Sequence, residues 1–151
     1  MAAIRENLRY RPYDEKKMSL KEALSFIKTG DHIFIGSACG EPQYLVKGLV
    51  EMANHLADNE ILHVHTLGVA PYTKPIYSNR FRLNAFFVGI NAREAIIEGR
   101  ADYTPVFLSD LPSLISNNIV PIDVALIQVT PPDEHGFCSL GVSVEITKTA
   151  A

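Results

Sequence analysis

The chain has 151 residues, 47% of them hydrophobic, with 14 Lys and Arg against 17 Asp and Glu and a formal net charge of −3. That length and apolar fraction fill the core of one ordinary domain, and a weakly acidic balance without a basic stripe excludes nucleic acid or an anionic membrane as partner, leaving a small molecule or another protein. No run has membrane-spanning length, the opening MAAIRENLRYRPYDEKKMSL lacks the apolar stretch of a signal peptide, and Cys39 and Cys138 form no CxxC pair; the chain reads as reduced and cytoplasmic, with the mitochondrial matrix as the alternative that Arg5, Arg9 and Arg11 keep open.

Residues 1–18 read as an N-terminal extension and 19–151 as the domain. Ser19 is placed to cap a helix whose apolar positions Leu20, Ala23, Leu24 and Ile27 recur at helical spacing until Thr29-Gly30-Asp31 stops it. A short buried strand, His32–Ile35, follows. Pro42 suits the first position of a second helix with Leu45, Val46, Leu49, Val50, Met52, Ala53 and Leu56 on its apolar face, ending near Asp58-Asn59. Strands are expected at Ile61–Leu67 and at about Arg82–Val88. Asn91 is placed to cap a helix over Ala92–Glu98, closed by Gly99, and Ser109 to cap a short helix through Ile115. Ile122–Val129 is the most convincing buried strand, and PPDEHGFCSLGVSVEI reads as a turn followed by one or two strands. Strands alternating with helices give an α/β fold, an open and mainly parallel sheet flanked by helices, which places ligands beyond the carboxyl ends of its strands. The final EITKTAA stops just after a strand pattern without a capping signal, so the chain is expected to be the front part of something longer.

GSACGEPQ, Gly36 to Gln43, occupies such a carboxyl end. It has no Lys-Ser/Thr pair for a P-loop, and Gly36 and Gly40 do not form GxGxxG, so neither standard nucleotide motif is present. Cys39 reads as a small packed thiol in preference to a nucleophile, because no base is identifiable beside it. Glu41 reads as a surface carboxylate favouring the helix start, with catalysis the alternative. The two glycines let backbone N–H groups approach an oxyanion or a thioester carbonyl. His63 and His65, two apart on a strand, share a face; half-buried hydrogen-bonded histidines are preferred to a metal pair that has no third ligand. His135 belongs to a surface turn built by Pro132, Asp133 and Gly136, with a general base as the alternative. Arg80 and Arg82 fit a phosphate contact or an exposed strand edge equally.

KTGDHIFIGSACGEPQYL, the HTLG strand end at His65–Gly68, and above all VALIQVTPPDEHGFCSLGVSVE at Val124–Glu145 resemble the N-terminal domain of the acetyl-CoA hydrolase/transferase family, which includes the 4-hydroxybutyrate and butyrate:acetate CoA-transferases. The resemblance covers nearly everything from Ser19 onward. It implies the CoA-transferase (NagB/RpiA-like) fold, a second similar domain after Ala151, and an active site between the two. It also implies no permanently bound cofactor and no metal: coenzyme A is a substrate, the partners are acyl-CoA, small carboxylates and the chain's own C-terminal domain, and a homo-oligomer is expected. In such enzymes a glutamate attacks the acyl-CoA thioester and becomes a glutamyl-CoA thioester, from which an acceptor carboxylate collects the CoA. That glutamate belongs to the C-terminal domain, so no catalytic residue is expected here. The match gives Gly36, Ser37, Ala38, Cys39, Gly40, Glu41, Pro42 and Gln43 as the acyl-side and oxyanion loop, with Gly68, His135 and Gly136 as weaker cleft candidates.

Overall fold

In a computed structural model that describes residues 12–151, five parallel strands form one sheet, β1 His32–Ile35, β2 Asn59–His63, β3 Phe81–Ala85, β4 Ala101–Tyr103 and β5 Val124–Leu126, in the order β4-β3-β2-β1-β5. Met1–Arg11 of the expected extension lie outside the described residues. The helices are α1 Tyr13–Lys16, α2 Leu20–Leu24, α3 Gln43–Glu51, α4 Ile90–Ile97, α5 Leu111–Ser116 and α6 Thr147–Ala150. Ser19 caps α2 as its sequence suggests, and reciprocally: its Oγ accepts the Glu22 N–H while Glu22 Oε2 accepts the Ser19 N–H.

Alternation along the strands sends side chains to two different cores. Ile33, Ile35, Ile61, Leu83, Ala85 and Leu126 pack with Leu24 of α2, Val46 and Leu49 of α3, and Ala92 and Ala95 of α4. Phe34, Leu62, Val64 and Phe86 pack with Leu111 of α5 and with Ile146, just before α6. Helices therefore cover both faces, as a parallel sheet requires. The amino half of the second face is polar: His32 Nδ1 lies 2.9 Å from Asp123 Oδ2, and Arg82 is ion-paired with Asp102.

Because β5 adds beside β1 while β2, β3 and β4 step away in the other direction, the strand order reverses between β1 and β5. Open α/β sheets receive their ligands at such a reversal, here beside the loops leaving these two strands.

Several sequence expectations need correction. β2 and β3 each end sooner than the apolar pattern suggests, and β4 has too few residues to show a pattern. α3 begins one residue after Pro42 and stops at Glu51, with a separate 3-10 turn at Ala53–His55. β5 covers only Val124–Leu126, with Val124 and Ala125 half-buried, because it is an edge strand in this chain and is paired on one side. PPDEHGFCSLGVSVEI makes the expected turn but no strand: Thr130 N–H donates to Ser139 O at 2.9 Å, the backbone then turns back, and the segment runs into α6. Gly89 rather than Asn91 occupies the cap of α4, and Asp110 rather than Ser109 that of α5.

Candidate functional site

The chain from Gly36 to Gln43 leaves β1 through a tight corner. Gly36 N–H donates to Leu126 O at 2.9 Å, which fastens the corner to the end of β5. Ser37 is buried, and its Oγ accepts from Val64 N–H at 3.1 Å and from His65 N–H at 3.4 Å, standing in for a strand neighbour where the sheet ladder has ended. Ala38 turns the chain at φ +51°, a left-handed conformation that a residue with a Cβ seldom adopts, and its N–H donates to His65 O at 2.8 Å. Gly40 N–H donates to Ser143 Oγ at 2.9 Å, from 103 residues further along the chain. A Cβ at Gly40 would stand 2.7 Å from that of Ser143, so this glycine allows the β1 loop and the β5 loop to touch.

Two side chains of the loop sit otherwise than the sequence suggests. Cys39 is exposed, not packed. Glu41 is 5% exposed and is not a surface carboxylate. Its Oε2 accepts the Thr66 hydroxyl and, at 3.0 Å, the Gly68 N–H, while Oε1 is buried with no partner among the described residues. A Cβ on Gly68 would come 2.7 Å from both carboxylate oxygens, and Asn91 Nδ2 holds Gly68 O from the other side. Gly68 is thus glycine because the side chains of Glu41 and Gln43 occupy the space beside it. Gln43 is exposed at the start of α3, after the buried Pro42.

Beneath this lacing lies a buried polar pair. His63 Nδ1 is hydrogen-bonded to Tyr72 Oη at 3.0 Å, and Nε2 is buried without a partner among the described residues. Burial first, and the neighbouring His65 second, push the His63 pKa down to about 4, so the ring is neutral at pH 7. Burial, reinforced by the negative charge of Glu41, pushes the Tyr72 phenol well above its usual range. His63 is therefore more deeply buried than the sequence suggests, and His65 lies past the end of β2. Among the described residues no group of three or more His, Cys, Asp and Glu is placed to hold a metal.

The remaining candidates lie apart. His135 and Gly136 sit in an exposed turn, where Asp133 Oδ1 accepts from His135 N–H at 2.9 Å and from Phe137 N–H at 2.8 Å. Arg80 Nη1 donates to Leu56 O at 3.1 Å, and with Arg82 it lies at the amino ends of the strands, away from the β1 and β2 loops. A groove of about 680 Å³ between α2 and α3 is lined by Leu20, Leu24, Gly48 and Met52, and by no residue of either loop. The candidate site is instead the ledge at the carboxyl edge of the sheet where the β1, β2 and β5 loops meet, beside the strand-order reversal.

A family model for the acetyl-CoA hydrolase/transferase N-terminal domain matches residues 1–151. The chain belongs to this family. It is 47% identical over 131 residues to a succinyl-CoA:acetate/propanoyl-CoA:succinate CoA transferase of Fasciola hepatica, covering 85% of this chain and 27% of that protein. It is 44% identical over 139 residues to a 4-hydroxybutyrate coenzyme A transferase of Clostridium kluyveri, covering 92% and 32%. Among solved structures, RipA from Yersinia pestis superposes with a TM-score of 0.78 at 30% identity, covering 86% of this chain and 32% of that one. The chain thus spans a third or less of the length of these relatives. Its parallel sheet with flanking helices is the fold of CoA-transferase family members, as the sequence motifs imply.

The β1 loop was legible as a tight strand-to-helix corner, and hence as a candidate site, from Gly36, Gly40 and the apolar strand before it. Thr66, Asn91 and Ser143 were not. Asn91 reads locally as a helix cap, and nothing near Ser143 signals a partner 103 residues earlier. Thr66 alone had a usable signal, standing two residues before Gly68 at a strand end.

Proposed function

We propose that this chain is the N-terminal domain of a CoA-transferase that moves CoA between an acyl-CoA thioester and a small carboxylate of the acetate or butyrate class. What carries the reading is the ledge at the β1/β5 reversal, the place where an open α/β sheet receives its ligand, in a chain whose relatives are CoA-transferases. In the proposed reaction a glutamate outside this chain attacks the thioester carbonyl, the C–S bond breaks, and CoA leaves as thiolate with a mixed anhydride behind it. The thiolate then attacks the glutamyl carbonyl and expels the donor carboxylate; the acceptor carboxylate repeats the sequence in reverse. Gly36–Gln43 and Gly68 form the acyl-side wall, and His135-Gly136 rims the cleft. Coenzyme A enters as substrate, with no resident cofactor proposed.

The chain's other proposed partners are a C-terminal domain, which supplies the nucleophile, and further copies of the enzyme. Two free, exposed cysteines suit a reducing compartment, which supports a cytoplasmic location. Among the described residues no helix is long and apolar enough to cross a membrane. Hydrolysis, with water as acceptor, is the second reading and rests on the family's name.

The test is transfer of CoA from butyryl-CoA to acetate, followed by acetyl-CoA formation. The full-length protein is expected to turn over and the 151-residue chain alone to give none. Turnover by the chain alone would place the nucleophile within it and overturn the reading.

A further inference from the structure

The loops after β1 and β2 are separate in sequence but share one buried carboxylate. Glu41 Oε2 accepts from Thr66 Oγ and from Gly68 N–H, the Thr66 Oγ also accepts the Gly68 N–H at 3.1 Å, and Asn91 Nδ2 closes the far side on Gly68 O. Ser37 Oγ and Ala38 N–H tie the same two loops together one turn earlier. A carboxylate so enclosed cannot reach a thioester. It is 5% exposed, Gly68 lies against both of its oxygens, and Thr66 and Gly68 occupy Oε2. It can fix where the next residues point: Leu67 and Val69, on either side of Gly68, are 61% and 73% exposed on the ledge.

We propose that Glu41 is a positioning residue for acyl transfer, locking the Thr66–Gly68 turn to the β1 loop so that the two loops present one rigid wall to the acyl group. A charged acceptor suits this task because hydrogen bonds to a carboxylate are shorter and stronger than those between neutral groups. The cost is an Oε1 buried without a partner among the described residues, an arrangement that persists where the surrounding structure fixes it. The proposal rests on the CoA-transferase reading for its kinetic consequence but not for the lock itself.

Two measurements separate these. In the 151-residue chain, amide hydrogen exchange at Gly68 is expected to rise roughly tenfold or more in Glu41→Ala, since the amide then loses its carboxylate acceptor and keeps only the Thr66 hydroxyl, itself freed from Glu41, and to stay within roughly threefold of wild type in Glu41→Gln, whose amide oxygen can take the place of Oε2. Thr66→Val, which leaves Glu41 in place and removes one donor, should raise it by an intermediate factor. In the full-length protein, Glu41→Ala should lower kcat by roughly a hundredfold, the scale of a misplaced positioning group, with KM for acyl-CoA within roughly threefold, and Glu41→Gln should recover most of the loss. Unchanged Gly68 exchange in both Glu41→Ala and Thr66→Val would overturn the lock. Loss of transfer as complete in Glu41→Gln as in Glu41→Ala, with exchange preserved in the former, would make Glu41 a reacting group instead. A wild-type full-length protein that transfers no CoA would remove the CoA-transferase reading, and the exchange data would still decide the lock.

Discussion

The loops at the carboxyl edge of the sheet are built in opposite ways. The β1 and β2 loops are laced by buried side chains: Ser37, Glu41 and Thr66 are each buried and each bonded to the other loop. The long β5 loop satisfies its backbone mainly within itself, through Thr130 to Ser139 and Asp133 to Phe137, and leaves Phe137 73% and Val142 84% exposed. Its link to the other two is Ser143, close to where the chain returns to α6. A loop whose polar groups bond across to its neighbour is set by this chain alone. A loop that turns its apolar side chains outward leaves surface that another domain can bury, so the two constructions separate what this domain fixes from what the proposed C-terminal domain would complete.

The largest expected effect lies in the lacing. Ser37→Ala removes the acceptor from Val64 N–H, in a buried setting, and from His65 N–H. Leaving them unsatisfied should destabilise the chain by about 3 kcal/mol, read as a lower denaturant midpoint at unchanged m-value. A cost below about 0.5 kcal/mol, the ordinary range for surface positions, would mean that the lacing is incidental.

Acid should loosen the same region next. His63 is neutral in the fold, with its pKa lowered from 6.5 to about 4, so between those values the unfolded chain binds the extra proton. Its contribution is fully present above pH 6.5 and is lost as pH falls toward 4; between pH 7 and 5 the chain should lose about 2 kcal/mol from this group. Urea melts across that range check it, with His63→Phe expected to flatten the slope. An equal slope in wild type and variant would show that other groups carry the acid sensitivity.

The contact between the two kinds of loop comes third. Gly40→Ala places a Cβ against that of Ser143, an overpacking worth about 1–2 kcal/mol, and Ser143→Gly in the same chain should relieve it. Because Ser143→Gly also removes the Oγ that accepts from Gly40 N–H, that single variant is measured alongside; costs that simply add in the double variant would place the cause elsewhere, in the Gly40 backbone.

What the sequence disclosed divides along the same line. β1 and the Ser19 cap were readable because their signals are local: an apolar run between Asp31 and Gly36, and a serine before helical spacing. β5 was overextended because Ile122–Val129 is apolar at all but Asp123 and Gln128, yet Val129 is 40% exposed beyond an edge strand. An apolar run records that burial is required and not which chain segment supplies it. For Glu41 the local signal misled. A glutamate before a helix reads as a surface charge, while its partners Thr66 and Gly68 stand 25 and 27 residues away and only the parallel pairing of β1 with β2 brings them alongside.

The smallest effect on stability belongs to the β5 loop, and it tests the comparison from its other side. Phe137 is 73% exposed, with its backbone N–H held by Asp133 and its ring largely in solvent, so Phe137→Ser should change the stability of the chain by less than about 0.5 kcal/mol. The same substitution removes a large apolar group from the exposed β5 loop, surface that the proposed C-terminal domain would cover. Self-association of the 151-residue chain, measured by sedimentation over a concentration series, should therefore weaken while the denaturation midpoint stays fixed. A midpoint that falls as far as in Ser37→Ala would show that Phe137 is packed in this chain, and the contrast between laced and open loops would fail. If both midpoint and association are unchanged, the loop is open but is not the surface through which the chain meets a partner, and the β2 loop, where Leu67 and Val69 are both more than half exposed, becomes the place to look.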